Sequence, residues 1–150
     1  MGHLQYICKG PEKQRLQFDA SDPPRVRAIQ GHSLSCLDDD LMHTRLDMGM
    51  DIPEWVKHMT ESQYVRSIMR KGLRAGGAGP GKDYRLHVHM VTIDKQPGDA
   101  VAGLRAQATE AIYVRLQLAM EQGIVFHRTI TGVYLTRSTI PRDLLSRSMD

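Results

Sequence analysis

Cysteine is scarce in this 150-residue chain, with Cys8 and Cys36 the only two, and aromatic residues make up only 5%. Two cysteines are too few for a disulfide framework or for a closed zinc site built of thiolates. No apolar run approaches the roughly 20 residues that cross a bilayer, and the first residues lack the basic-then-apolar pattern of a secretory signal. These absences predict an intracellular protein, cytoplasmic or nuclear, with no membrane partner and no metal site.

Apolar residues and arginine are what the chain has in quantity. Hydrophobic residues make up 41% of it, enough for a globular core, and the length predicts a single domain spanning 1–150. Arginine supplies 14 of the 20 basic residues, and the formal net charge is +3. The planar guanidinium matches phosphate or carboxylate oxygens, although a biased genome composition would also enrich arginine. The composition therefore permits a nucleotide or nucleic-acid partner.

Short strands outnumber helices in the predicted secondary structure, without regular alternation, which predicts a mixed α+β fold. Residues 60–72 give the clearest helix, with Thr60 as its cap and Gln63 completing a capping box. A second, short helix is predicted for 99–108, and the acidic segment 37–51 is predicted to be a loop. The predicted strands cover 13–20, 25–30, 85–93, 110–117, 123–130 and 132–136.

The first candidate site is the stretch "QGHS", Gln30 to Ser33, at the end of a predicted strand. Gly31 has no Cβ, so a ligand can approach the main chain closely, and the amides around His32 and Ser33 can donate to phosphate oxygens. An ordinary turn explains the same residues equally well.

The second candidate is "YRLHVHM", in which strand alternation places Arg85, His87 and His89 on one face, with neighbours about 6.6 Å apart. Two histidines at this spacing can ligate zinc, but no further ligand follows at a recognisable spacing. A hydrogen-bonded core histidine is another interpretation, and an anion-facing row of arginine and histidine is the third.

Five stretches taken in order give these candidates a context: "EKQRLQF", "RAIQGHS", "PEWVKHMT", "RLHVHM" and "FHRTITGVYLTRSTIP". In this order the chain resembles the NAD-dependent RNA 2′-phosphotransferase family of the KptA type, over about residues 12–145. The resemblance implies an ADP-ribosyltransferase-like α+β fold, with two small sheets flanking a cleft that binds NAD.

The resemblance also implies a reaction and its partners. NAD is consumed as a co-substrate, and the partner is an RNA bearing a 2′-phosphate, such as tRNA. The 2′-phosphate attacks the nicotinamide ribose, and ADP-ribose 1″,2″-cyclic phosphate is released in a second step. A phosphate monoester is largely ionised at neutral pH, so this chemistry needs arginine forks rather than a catalytic carboxylate.

Individual roles follow from the matching motif positions. Arg15 and Arg85 match the family's catalytic arginines of this lobe, and Arg128, within "FHRT", is a further candidate for the substrate phosphate or else a solvated strand residue. The residues that the resemblance places around NAD are Gln30, Gly31, His32, Ser33, His58, Thr60, His87 and His89.

Three departures from the family pattern leave other functions open. Met59 replaces the glycine of "HGT", and Val91 stands where the family has serine. The family's amino-terminal winged-helix-like lobe, with its "LRH" motif, has no counterpart before Glu12. One alternative is an ADP-ribosyltransferase that caps phosphorylated nucleic acid or another acceptor and stops after the first step. A non-catalytic nucleotide- or RNA-binding module is the other.

Overall fold

A computed structural model of the chain describes residues 16–28, 37–76, 85–97, 99 and 104–150, which form nine short strands and three α-helices. The strands are β1 (Leu16–Asp19), β2 (Arg25–Ala28), β3 (Thr44–Arg45), β4 (Trp55–Thr60), β5 (Val88–Met90), β6 (Glu110–Arg115), β7 (His127–Arg128), β8 (Tyr134–Thr136) and β9 (Leu145–Ser146). The helices are α1 (Asp39–Met42), α2 (Ser62–Lys71) and α3 (Leu116–Glu121), and a 3₁₀ turn covers Arg142–Leu144. The predicted α+β class is confirmed.

The strands form three small sheets in which every pairing between strands is antiparallel within the described residues. β1 and β2 make a hairpin, as predicted, with Asp19 opposite Arg25. The second sheet has the order β3-β7-β8-β5, and the third has the order β4-β6-β9.

The second and third sheets are joined where β5 meets β4. The amide of Lys57 donates to the carbonyl of Val91, and the amide of Val91 donates to the carbonyl of Lys57, both at 2.9 Å. This exchange places His58 and His89, at the facing edges of two different sheets, in direct contact.

The hydrophobic core lies around β4, β6 and β8 and includes fully buried Val56, Ile112 and Phe126. Helix α2 packs an apolar stripe of Val65, Ile68 and Met69, spaced to share one face of the helix, against this core. The three side chains are partly buried, so each contributes less than the roughly 1.5–3 kcal/mol of a fully buried one, and together they hold the helix in place.

Helix α2 confirms the prediction for 60–72, but its beginning differs. Thr60 is the last residue of β4, and the helix is capped by Glu61. The strand takes Thr60 because its partner Glu110 continues the ladder of β6 to that point. The helix ends at Gly72, whose φ of 93° suits glycine, and a Cβ there would lie 2.8 Å from the carbonyl oxygen of Ile140.

The predicted loop at 37–51 is wrong in part, because it contains α1 and β3. The side chain of Asp38 caps α1 by accepting a hydrogen bond from the amide of Asp40 at 2.9 Å. Asp39 and Asp40 then occupy the first turn, where the helix dipole favours carboxylates.

The predicted helix at 99–108 is not present at Asp99 or over 104–108, and the rest of that prediction lies outside the described residues. Leu104 and Ala108 are buried on either side of a turn that the amide of Ala108 closes on the carbonyl of Arg105. Conversely, the strand predicted for 110–117 ends at Arg115, because α3 begins at Leu116 with residues of good helix propensity.

Candidate functional site

The candidate site lies where β4 and β5 meet, and His58 is its first element. Its Nδ1 lies 2.8 Å from the carbonyl oxygen of His89. A carbonyl oxygen can only accept, so Nδ1 carries the proton and donates it. Burial lowers the pKa of His58, and the hydrogen bond to the carbonyl offsets this only in part. The ring is therefore neutral, and its Nε2 offers a lone pair.

His89, on the adjacent strand β5, has the same tautomer as His58. Its Nδ1 donates to the carbonyl oxygen of His87 at 3.1 Å, and its side chain is buried. Burial and then the positive charge of Arg85 lower the pKa of His89 to about 3. Its Nε2 has no hydrogen-bond partner among the described residues. Two neutral histidines therefore present acceptor nitrogens at one junction.

Arg85 supplies the positive charge of this junction. It is half-buried and precedes β5 closely, and its charge acts on the His89 ring. A fixed cation beside two neutral acceptors can hold an anionic group and sugar hydroxyls at the same time.

A second network fixes His87 beside this junction. His87 donates from Nε2 to Oδ1 of Asp39 at 2.9 Å, and Arg137 grips the same carboxylate with Nε at 2.7 Å and Nη2 at 3.1 Å. Burial raises the pKa of Asp39, but the hydrogen bonds from Arg137 and His87 outweigh it and lower the pKa to about 2. The carboxylate is thus ionised at any physiological pH.

Asp40, the next residue of helix α1, makes a similar pair of contacts with a histidine and an arginine. His127 donates from Nε2 to Oδ1 of Asp40 at 2.7 Å, and Arg45 lies 3.7 Å from the same carboxylate. Arg137 also donates from Nη2 to the carbonyl oxygen of Leu37 at 2.7 Å. These contacts hold Leu37 and helix α1 against the four-stranded sheet, next to His87.

The register of the four-stranded sheet shows which residues share a face. His127 lies opposite Leu135, which lies opposite His89, so these three side chains are on one face. Arg128 lies opposite Tyr134, and alternation places both on the other face. The structure therefore brings Arg85, His58, His87 and His89 together, but it does not bring Arg128 to the same face as His89.

The other predicted site residues divide into two groups. Thr60 is buried at the end of β4, two residues after His58 and so on the same face of the strand. The predictions for Arg15, Gln30, Gly31, His32 and Ser33 lie outside the described residues.

The departures at Met59 and Val91 are accommodated without strain. Met59 lies in the regular ladder of β4 opposite Ala111, and its φ is not positive, so the methionine incurs no left-handed strain. Val91 is buried, and its main chain makes the exchange with Lys57 that joins the two sheets.

Sequence reasoning missed Asp39, Arg137 and His127. The capping Asp38 followed by two acidic residues is a helix-start signal, which the loop prediction for 37–51 overlooked. It does not predict the partners, because Asp39 lies 48 residues from His87 and 98 from Arg137 along the chain. Only the fold brings these residues together.

The described residues offer neither a metal cluster nor a membrane-spanning helix. No group of three or more histidine, cysteine or acidic side chains is arranged to hold a metal ion there. In the same residues, no helix has both the length and the apolar character to span a membrane.

The fold and the junction define a small antiparallel α+β domain that presents an arginine and two neutral histidines where the edges of two sheets meet. The family described as RNA 2′-phosphotransferase, Tpt1 / KptA, matches residues 1–138. The chain belongs to this family, and the resemblance seen in the sequence is confirmed.

Known relatives support the assignment. The chain is 34% identical over 138 residues to the tRNA 2′-phosphotransferase 1 of Bos taurus and 32% identical to that of Homo sapiens, in each case over 89% of this chain and 50% of the relative. It is 29% identical to a probable RNA 2′-phosphotransferase of Pseudomonas syringae pv. tomato, over 98% of this chain and 70% of the relative. The chain thus spans about half the length of the mammalian relatives.

Proposed function

We propose that this chain is an NAD-dependent RNA 2′-phosphotransferase with an ADP-ribosyltransferase-like arrangement, in which the junction of β4 and β5 lies in the NAD cleft. Family membership supports the reaction class, and the names of the relatives support tRNA as the RNA. The observation that carries the proposal is the junction itself, where the charge of Arg85 acts on buried His89, and half-buried His58 donates to the His89 main chain.

The histidine tautomers fit a sugar better than a phosphate. A ribose hydroxyl donates a proton, whereas an ionised phosphate only accepts. Neutral Nε2 atoms on His58 and His89 can therefore receive hydrogen bonds from ribose hydroxyls but cannot grip phosphate oxygens. The Nε2 of His89 is buried with no partner among the described residues, which costs free energy unless a ligand satisfies it.

In the first proposed step, an oxygen of the RNA 2′-phosphate attacks C1″ of the nicotinamide ribose. A C–O bond forms, the glycosidic C–N bond breaks, and nicotinamide leaves with the electron pair as a neutral molecule. The phosphate needs no general base, because its second pKa is about 6 and it arrives largely as a dianion. Arg85 has the chemistry to hold it in line, and Arg15 is proposed to assist.

In the second proposed step, the ribose 2″-hydroxyl attacks the phosphorus. The new P–O bond closes the 1″,2″-cyclic phosphate, and the bond between phosphorus and the RNA 2′-oxygen breaks. The proton lost by the 2″-hydroxyl is balanced by the proton gained by the RNA 2′-oxygen. Charge on the phosphate oxygens is largest here, so guanidinium contacts contribute most in this step.

Product analysis tests the proposal. The protein is mixed with NAD and an oligonucleotide carrying one internal 2′-phosphate, and nicotinamide, ADP-ribose 1″,2″-cyclic phosphate and dephosphorylated RNA are quantified. We expect the three products in equal amounts. Arg85→Ala should lower the rate at least about 100-fold, since single preorganised charge contacts are worth roughly 10²–10³ in rate.

Arg105→Ala is the matched control, because Arg105 is exposed in a turn remote in sequence from the motifs. It should retain the wild-type rate. A stable RNA–ADP-ribose adduct without the cyclic phosphate would show an ADP-ribosyltransferase that stops after the first step. No release of nicotinamide from bound NAD would contradict the proposal.

A further inference from the structure

Helix α2 presents an exposed surface of one charge sign. Arg66, Arg70 and Lys71 lie outside the apolar stripe, with Arg70 nearly opposite it and Arg66 and Lys71 on its two flanks, and all three are exposed. We call these three residues the α2 basic surface. Arg74, also exposed, follows the helix-ending Gly72 and extends it.

The charges of this surface are not balanced within the fold. Residues 61–74 hold four cations and one carboxylate, a net charge of +3 that equals the formal net charge of the whole chain. Glu61, the one carboxylate, caps the opposite end of the helix and accepts a hydrogen bond from Gln63 at 2.8 Å. In the described part of the chain, none of the four cations forms an ion pair.

Helix stability does not account for the arrangement. Cations in the last turn interact favourably with the helix dipole, which explains Arg70 and Lys71. Arg66 lies a full turn earlier and stands four residues from Arg70, a like-charge spacing that destabilises a helix slightly. Solvated helices usually alternate charge signs along such a face. Binding to a polyanion therefore explains the position of Arg66 better than the stability of the isolated helix does.

The surface follows the candidate site along the chain. Helix α2 starts two residues after Thr60, the last residue of the strand that carries His58. Arg66 then lies ~6 Å along the helix axis from Ser62, and Arg70 lies ~6 Å beyond it. Arg66 and Arg70 therefore stand about one helical turn apart, on the element that directly follows the strand of His58.

Resting on the proposed function, we propose that the α2 basic surface binds the phosphodiester backbone of the RNA substrate beyond the nucleotide that reacts. The contacts are with phosphates, so they are independent of base sequence. They would position the RNA without taking part in the chemistry.

The test is direct binding without NAD. Fluorescence anisotropy measures the Kd of an unphosphorylated, fluorescein-labelled 12-nucleotide single-stranded RNA between 50 and 200 mM NaCl. The double variant Arg66→Glu/Arg70→Glu is compared with Lys95→Glu/Arg105→Glu, which changes the net charge equally on other surface positions. Losing two phosphate contacts should lower the slope of log K against log salt by about 1.4, and the control pair should keep the wild-type slope.

The variant Arg66→Gln/Arg70→Gln removes both charges without introducing carboxylates, so it is less disruptive to the helix. Circular dichroism checks that the helix is retained. This variant should give the same direction of change. An equal loss of affinity in both charge-reversed pairs, or an unchanged salt slope in the α2 variants, would overturn the proposal. Measuring nicotinamide release distinguishes this proposal from the proposed function. If the wild type binds RNA through α2 but never releases nicotinamide from NAD, the proposed reaction is refuted and the RNA-binding surface is not.

Discussion

At the scale of single residues, the tautomers of two histidines say most about the site. His58 and His89 each give their Nδ1 proton to a main-chain carbonyl, so each keeps Nε2 as an acceptor nitrogen. A motif in a sequence identifies a histidine, but the tautomer depends on which carbonyl lies beside the ring. That carbonyl belongs to a neighbouring strand for His58, and so the tautomer follows only from the fold.

Substitutions of His58 test the roles of its two ring nitrogens separately. In His58→Asn, the amide nitrogen can replace Nδ1 and still donate to the His89 carbonyl, while the Nε2 acceptor is lost. We expect stability within about 1 kcal/mol of wild type and a KM for NAD raised about ten-fold, the value of one hydrogen bond. Steady-state kinetics and urea unfolding measure the two effects.

His58→Phe is the matched comparison, because it removes both nitrogens. The His89 carbonyl then lacks a donor, so stability should also fall by about 1–3 kcal/mol. Equal KM values for NAD in the wild type and His58→Asn would show that Nε2 does not meet the ribose.

At the scale of elements, the short helix α1 shows which parts of the structure could be predicted from the sequence and which could not. The hairpin of β1 and β2 and the apolar stripe of α2 were predictable, because both depend on neighbours in the sequence. Helix α1 has four residues and buries none of its own side chains. Its position depends on ion pairs and hydrogen bonds with distant residues, which no local pattern encodes.

The two carboxylates of α1 should contribute unequally to stability. Asp39 has a side chain only 12% exposed and binds Arg137 and His87, whereas that of Asp40 is 53% exposed. We expect Asp39→Asn to lower the free energy of unfolding by about 1–3 kcal/mol, and Asp40→Asn by less than about 1 kcal/mol. Urea unfolding at pH 7 checks this difference, and a larger loss for Asp40→Asn would refute it.

At the scale of the whole molecule, the order of the strands was beyond prediction. Strands β3 and β5 lie at opposite edges of one sheet, with β7 and β8 between them, although β4 separates β3 from β5 along the chain. The predicted strands 123–130 and 132–136 do pair, as neighbours joined by a short turn at Gly132. Pairings between distant segments depend on how buried faces fit together, so a single sequence specifies them only weakly.

Acid should destabilise the whole domain over a range set by the buried histidines. The pKa of His89 falls from 6.5 to about 3 on folding, and the pKa of His58 also falls. The unfolded state therefore binds more protons between these values, so stability is full above pH 6.5 and declines below it. Each histidine contributes up to about 1.4 kcal/mol per pH unit.

Urea unfolding at pH 7.5, 6 and 5 measures this slope. His89→Asn is the matched control, because its amide can still donate to the His87 carbonyl while nothing there titrates. The variant should show a flatter dependence on pH than the wild type. Identical slopes would mean that His89 does not stay neutral in the folded protein.

The exchange between Lys57 and Val91 has a consequence for how the fold opens. Each amide proton is covered by the other residue's carbonyl, so neither can be replaced by deuterium until the seam between the two sheets parts. Once each measured rate is corrected for the intrinsic exchange rate of its own residue, the two amides should give the same free energy of opening. A ligand that spans the seam should raise this free energy and slow the exchange of both amides.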